Sequence, residues 1–75
     1  MSVTMLGDPR RVRAALRELD AAIERAERSQ ADQLAYAELL ARARKRTAGV
    51  LLWLRRTEAH LDALRRDRLW LLDGW

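Results

Sequence analysis

The sequence predicts an all-α protein, a helical hairpin in which a short first helix packs on a long second helix in a coiled-coil-like manner. Three observations favour this fold. Apolar residues recur at alternating steps of three and four, which is the spacing of one helical face. The 75 residues include one proline and three glycines, and 35% of them are charged. A chain of this length predicts one small domain, residues 1–75.

The first helix is predicted over about residues 8–28. Asp8 precedes Pro9, and a capping carboxylate followed by proline at the first helical position is a common helix start. An apolar stripe follows, with charged residues opposite it. The stripe consists of Val12, Leu16, Leu19, Ile23 and Ala26.

The second helix is predicted over about residues 30–72. Ser29 precedes Asp32 by three residues, as in a capping box, so we expect a break there. Downstream residues form a second stripe whose phase differs from the first and which only Arg68 interrupts. This stripe consists of Tyr36, Leu40, Ala43, Thr47, Val50, Leu54, Thr57, Leu61, Leu64 and Leu71. The change of phase favours a chain reversal near residue 29, which lets the two stripes face each other.

Gly49 leaves a second arrangement open. Glycine costs about 1 kcal/mol in a helix interior relative to alanine, and the basic residues from Arg42 to Arg46 suit a helix C-terminus. A turn at this point would give a three-helix bundle. Because the second stripe crosses Gly49 without changing phase, we favour one long helix, kinked at Gly49 at most.

Two segments of the second helix, Val50–Leu54 and Leu69–Leu72, are apolar on all sides. A helix of this kind is ordinarily buried, and one neighbouring helix covers only one side of it. We therefore expect further protein to cover the rest, with tryptophan as a typical interface anchor. The predicted interface residues are Leu51, Leu52, Trp53, Leu69, Trp70, Leu72 and Trp75.

A cationic segment supports an alternative partner. The net charge is +4, and no acidic residue lies between Glu38 and Glu58. On an unbroken helix, Lys45, Leu52 and Arg56 would share one side. Arginine binds phosphates and tryptophan stacks on bases, so the alternative is a small basic nucleic-acid-binding protein, a regulator or a packaging factor, while a membrane partner is disfavoured. The predicted contacts are Arg42, Arg44, Lys45, Arg46, Arg55 and Arg56.

Catalytic, metal-binding and cofactor-binding residues are not predicted. His60 is the single histidine, the chain has no cysteine, and Glu58 and Asp62 beside it supply too few ligands for a convincing metal site. Without disulfides or a metal, association is the remaining way to stabilise so small a core.

We therefore expect a non-enzymatic adaptor or assembly subunit without a small-molecule substrate. It would form a homo-oligomer or dock on a larger complex, such as a viral or phage assembly. No apolar run reaches the length of a membrane span. We expect a cytoplasmic protein or a component of a virion or other large assembly.

Overall fold

A computed structural model describes residues 8–73, which form two antiparallel α-helices. Helix α1 spans Pro9–Arg42 and helix α2 spans Ala48–Asp73, with residues 43–47 as the turn between them. The helices pack against each other, and the rod that they form measures 58 × 15 × 15 Å. The predicted all-α class and the helical hairpin are confirmed.

The start of α1 agrees with the prediction. Asp8 takes the N-cap position, and its Oδ1 accepts a hydrogen bond from the Arg10 amide at 3.0 Å. Pro9 is the first helical residue, where its lack of an amide hydrogen costs nothing. The carboxylate satisfies one of the four amides that have no partner at a helix start.

The predicted break near Ser29 is wrong, because α1 continues to Arg42. With 34 residues, α1 is longer than α2, which has 26, so the order of short and long helix is reversed. The apolar stripe of the first helix continues in phase beyond Ala26. Two of the next inward positions are glutamines, and because glutamine is polar, the continuation was not recognised in the apolar pattern. Tyr36 and Ala43, which were assigned to the second stripe, are exposed. The inward residues after Ala26 are Gln30, Gln33, Ala37 and Leu40, all partly or fully buried.

The chain reverses at residues 43–47, where backbone hydrogen bonds close the end of α1. The Lys45 amide donates to the Leu40 carbonyl at 2.8 Å, and the Arg44 amide donates to the Ala41 carbonyl at 3.1 Å. This pair of bonds is a Schellman motif, which satisfies the last carbonyls of a helix. Arg44 has a φ of 56°, a left-handed conformation in which glycine is usual and a side chain is strained.

Gly49 is the second residue of α2 and therefore lies at a helix start. The Thr47 carbonyl accepts the Leu51 amide at 2.9 Å, which places Thr47 at the N-cap. The prediction that a long helix runs through Gly49 is wrong, because the turn lies just before it. Residues 8–73 contain two helices rather than the three of the alternative bundle.

The core between the helices is small. Among residues 8–73, the buried apolar side chains are Ala26, Val50, Leu54 and Leu61. The predicted inward stripe of α2 is confirmed, because its other members Thr57, Leu64 and Leu71 are partly buried. Gln33 is the buried polar side chain, with 1% of its surface exposed.

Three side-chain pairs define the register of the hairpin. Gln33 bonds to Thr57, Glu27 to Arg65 and Asp20 to Arg68. At 1.5 Å per residue α1 is about 51 Å long and α2 about 39 Å. Because Asp20 lies beside Arg68, about one and a half turns at the start of α1 extend beyond Asp73.

Candidate protein interface

The predicted interface residues that lie within residues 8–73 are all exposed. Their exposed fractions are 43% for Leu51, 52% for Leu52, 54% for Trp53, 57% for Leu69, 60% for Trp70 and 46% for Leu72. Trp75 lies outside the described residues. Large exposed apolar patches on a protein mark an interaction site or an aggregation risk.

An open groove of about 380 Å³ runs between the helices on one side of the hairpin. Its walls are Ala22, Arg25, Ala26, Ser29, Trp53, Arg56, Thr57 and His60. Since the inward positions repeat every seven residues, residues seven places further along lie on the same side. We call this side the groove face. Its additional members are Asp32, Tyr36 and Leu39 on α1 and Ala63, Asp67 and Trp70 on α2.

The opposite side carries the ion pair between Arg65 and Glu27, with 3.3 Å between Arg65 Nη2 and Glu27 Oε2. The nearby Arg68 Nε lies 2.7 Å from Asp20 Oδ1. All four side chains are about half exposed, so each pair contributes about 0–1 kcal/mol to stability. We call this side the ion-pair face, and the seven-residue repeat places four exposed leucines on it: Leu34, Leu51, Leu69 and Leu72.

The seven-residue repeat therefore divides most of the predicted interface between two faces. Trp53 and Trp70 share the groove face, whereas Leu51, Leu69 and Leu72 share the ion-pair face. Leu52 lies on the outer side of α2, away from α1.

A partly buried polar cluster lies at the groove. Gln33 Nε2 donates to Thr57 Oγ1 at 2.8 Å and to Ser29 Oγ at 3.0 Å, and Thr57 Oγ1 donates to the Trp53 carbonyl at 3.2 Å. Gln33 Oε1 is buried and has no hydrogen-bond partner within residues 8–73. This cluster was not predicted from the sequence. The seven-residue spacing of Gln33 from Ala26 and Leu40 is the signal that identifies it.

The predicted phosphate contacts divide into two groups, and all six side chains are exposed. Arg42 ends α1, and Arg44, Lys45 and Arg46 lie in the turn, so these four form a cationic turn at the tip of the rod. Arg55 and Arg56 lie further along α2. The predicted alignment of Lys45 with Leu52 and Arg56 is wrong, because Lys45 is not helical.

Three further exposed apolar side chains lie on α1, and sequence reasoning did not select them as interface residues. Leu39 is 60% exposed, Tyr36 51% and Leu34 46%. They were missed because the second helix was predicted to begin at residue 30, which placed Tyr36 inside the core. With the observed helix bounds, Tyr36 and Leu39 add to the groove face near Trp53.

His60 is exposed on the wall of the groove. The described part of the chain contains no group of three histidine, aspartate or glutamate side chains arranged to hold a metal ion. Neither α1 nor α2 is long and apolar enough to cross a membrane.

No family model, curated protein or solved structure matches this chain. The surface of the hairpin itself is therefore the basis for inferring a function.

Proposed function

We propose that this protein is a non-enzymatic helical subunit that works by protein–protein association, as an adaptor or an assembly component. The observation that supports the proposal most is the exposure of Trp53 and Trp70, each more than half exposed, on the groove face. Tryptophan buries a large rigid surface at a small entropic cost, so exposed pairs of this kind suit interface anchors.

The small core supports the same proposal. Among residues 8–73 only Leu61 and Gln33 are large side chains with less than 2% of their surface exposed. Chains of this size bury about 60% of their unfolded surface even when compact, and they often need an additional source of stability. Association supplies it by covering apolar surface at about 25 cal/mol per Å².

Coiled-coil-like winding of the two helices belongs to this proposal. The inward residues of both helices repeat every seven positions, which is the pattern that favours left-handed supercoiling. A supercoiled hairpin presents its two faces as continuous strips along the rod, and such strips suit helical partners.

Sedimentation of the purified full chain tests the proposal. We expect either a folded oligomer or a chain that stays largely unfolded until it meets its partner. The matched variant is Trp53→Ala with Trp70→Ala, which should shift the oligomer towards smaller species. A folded, stable and well-dispersed monomer would contradict association as the function.

A second candidate is nucleic-acid binding by the cationic turn. The observation in its favour is the exposure of Arg42, Arg44, Lys45 and Arg46 at one tip, with no acidic residue from 39 to 57. Binding of this kind weakens steeply with salt, because each neutralised phosphate releases counterions. Sedimentation with a DNA duplex at two salt concentrations separates the candidates. Salt-sensitive co-sedimentation that Arg44→Gln with Arg46→Gln abolishes supports this second candidate, whereas indifference to DNA contradicts it.

A further inference from the structure

We propose that the partner of the groove face is a second copy of this chain, packed antiparallel across a twofold axis so that two hairpins form a four-helix bundle. This inference rests on the proposed function of association and names its partner. In this arrangement α1 packs on α1 of the second copy, and α2 packs on α2. The turns of the two copies lie at opposite ends.

The charges on the groove face of α1 are complementary to those of an antiparallel second copy. Arg25 lines the groove, and Asp32 lies seven residues later on the same face. The two residues are equally distant from the point midway between Arg28 and Ser29. An antiparallel copy centred on that point therefore places each Arg25 opposite the Asp32 of the other chain.

The same relationship holds on α2. Arg56 lines the groove, and Asp67 lies on the same face, with the point between Leu61 and Asp62 midway between them. Neither Arg56 nor Asp67 belongs to the ion pairs formed within residues 8–73. A copy centred at this point pairs each Arg56 with the Asp67 of the other chain.

The two tryptophans fit the same axis. Trp53 and Trp70 are also equally distant from the point between Leu61 and Asp62. Each Trp53 would therefore meet the Trp70 of the second copy, and both exposed indoles would be covered. Between them on the groove face of α2 lie Arg56, His60, Ala63 and Asp67, and the same axis places each His60 opposite the Ala63 of the second copy.

The register of the hairpin brings the two midpoints to one level. Gln33 Nε2 bonds to Thr57 Oγ1 at 2.8 Å. Gln33 lies as far from the point midway between Arg25 and Asp32 on α1 as Thr57 lies from the point midway between Arg56 and Asp67 on α2. One twofold axis therefore passes through both midpoints, and it satisfies the charge pairs of α1 and α2 together.

The surface area agrees with one further partner of this size. The chain exposes 6241 Å², whereas a compact protein of 8.7 kDa exposes about 4,700 Å². A standard interface buries about 800 Å² on each partner. The surface of the chain is therefore large enough for an interface of this size.

A charge swap in the full chain tests the proposal, with sedimentation equilibrium as the readout. Arg56→Asp turns two symmetry-related ion pairs into like-charge pairs, and we expect the dissociation constant to rise about tenfold. The double variant Arg56→Asp with Asp67→Arg restores both pairs between chains and should return to within about threefold of the wild type. Residues 56 and 67 are about 16 Å apart along one helix, so a restoration cannot come from within a monomer.

Arg66→Asp is the matched control, because it makes the same charge change on the outer side of α2 and should leave the dimer intact. Rescue by the double variant supports the antiparallel dimer. If Arg56→Asp does not weaken the oligomer, or if the double variant does not restore it, the inferred antiparallel dimer is wrong. Neither outcome contradicts association as the function.

Two further outcomes separate the inference from the proposed function. A chain that stays unfolded alone at every concentration overturns the second copy as partner and leaves association with a different protein. A stable folded monomer overturns both.

Discussion

Gln33 and Thr57 connect the two helices through a hydrogen bond of 2.8 Å from Gln33 Nε2 to Thr57 Oγ1. Gln33 is 1% exposed, and its Oε1 has no partner within residues 8–73. A buried acceptor without a partner costs about 1–3 kcal/mol, which offsets much of what the amide donors contribute. The pair therefore defines the register of the hairpin more than it stabilises the fold.

The first prediction follows from this balance. Gln33→Leu with Thr57→Val replaces the polar pair by apolar groups of similar size, and we expect the free energy of unfolding to rise by about 1 kcal/mol. Denaturant unfolding at fixed protein concentration measures it. A fall of more than about 1 kcal/mol would show that the polar pair itself stabilises the hairpin.

The second prediction concerns Leu61, which has 1% of its surface exposed. Leu61→Ala removes buried methyl groups and leaves a cavity, so we expect the free energy of unfolding to fall by about 3 kcal/mol. Leu69→Ala is the control, because Leu69 is 57% exposed and should cost less than about 0.5 kcal/mol. Equal costs at both sites would contradict the observed packing.

The third prediction concerns the Schellman motif at the end of α1. Arg44 has a left-handed backbone that glycine adopts without strain, so Arg44→Gly should raise the free energy of unfolding by about 1 kcal/mol. Arg46→Gly removes the same charge from the same turn and should give no such gain, since Arg46 does not have a positive φ. If both variants behave alike, the gain comes from the lost charge and not from the backbone.

The fourth prediction concerns Gly49 in the first turn of α2. Its φ is negative, and a Cβ placed on it meets nothing within 4 Å. Gly49→Ala should therefore raise the free energy of unfolding by about 0.5–1 kcal/mol, because alanine has the higher helix propensity and a less flexible unfolded state. Thermal unfolding measures the change in stability. A loss of stability would indicate that residue 49 belongs to a turn.

The sequence was sufficient for the helical class, for the start of α1 at Asp8 and for the inward stripe of α2. These features depend on local rules: a cap followed by proline, and the spacing of apolar residues on one face. Val50, Leu54 and Leu61 were identified in this way, and the structure buries all three.

The position of the turn was not predicted, because two local signals were misleading. Ser29 and Asp32 resemble a helix start, but α1 continues through them, and Gln33 bonds to Ser29 one turn earlier in α1 and to Thr57 across the hairpin. Arg44 takes the left-handed position where glycine is expected, so the turn at residues 43–47 lacked its usual marker.

The candidate interface was predicted only residue by residue. Leu51, Trp53 and Trp70 were identified as surplus apolar surface, but their division between two faces depends on where α1 ends. Tyr36 and Leu39 join the groove face only when residues 30–42 belong to α1. A pattern within one helix does not show how it is aligned with its neighbour.

We propose that the hairpin depends on association to cover its exposed tryptophans. Circular dichroism of the full chain tests this dependence, by measuring the thermal unfolding midpoint from about 1 µM to about 100 µM protein. We expect a midpoint that rises with protein concentration, and a lower, less concentration-dependent midpoint for Trp53→Ala with Trp70→Ala. A cooperative transition with the same midpoint across the whole range would contradict it.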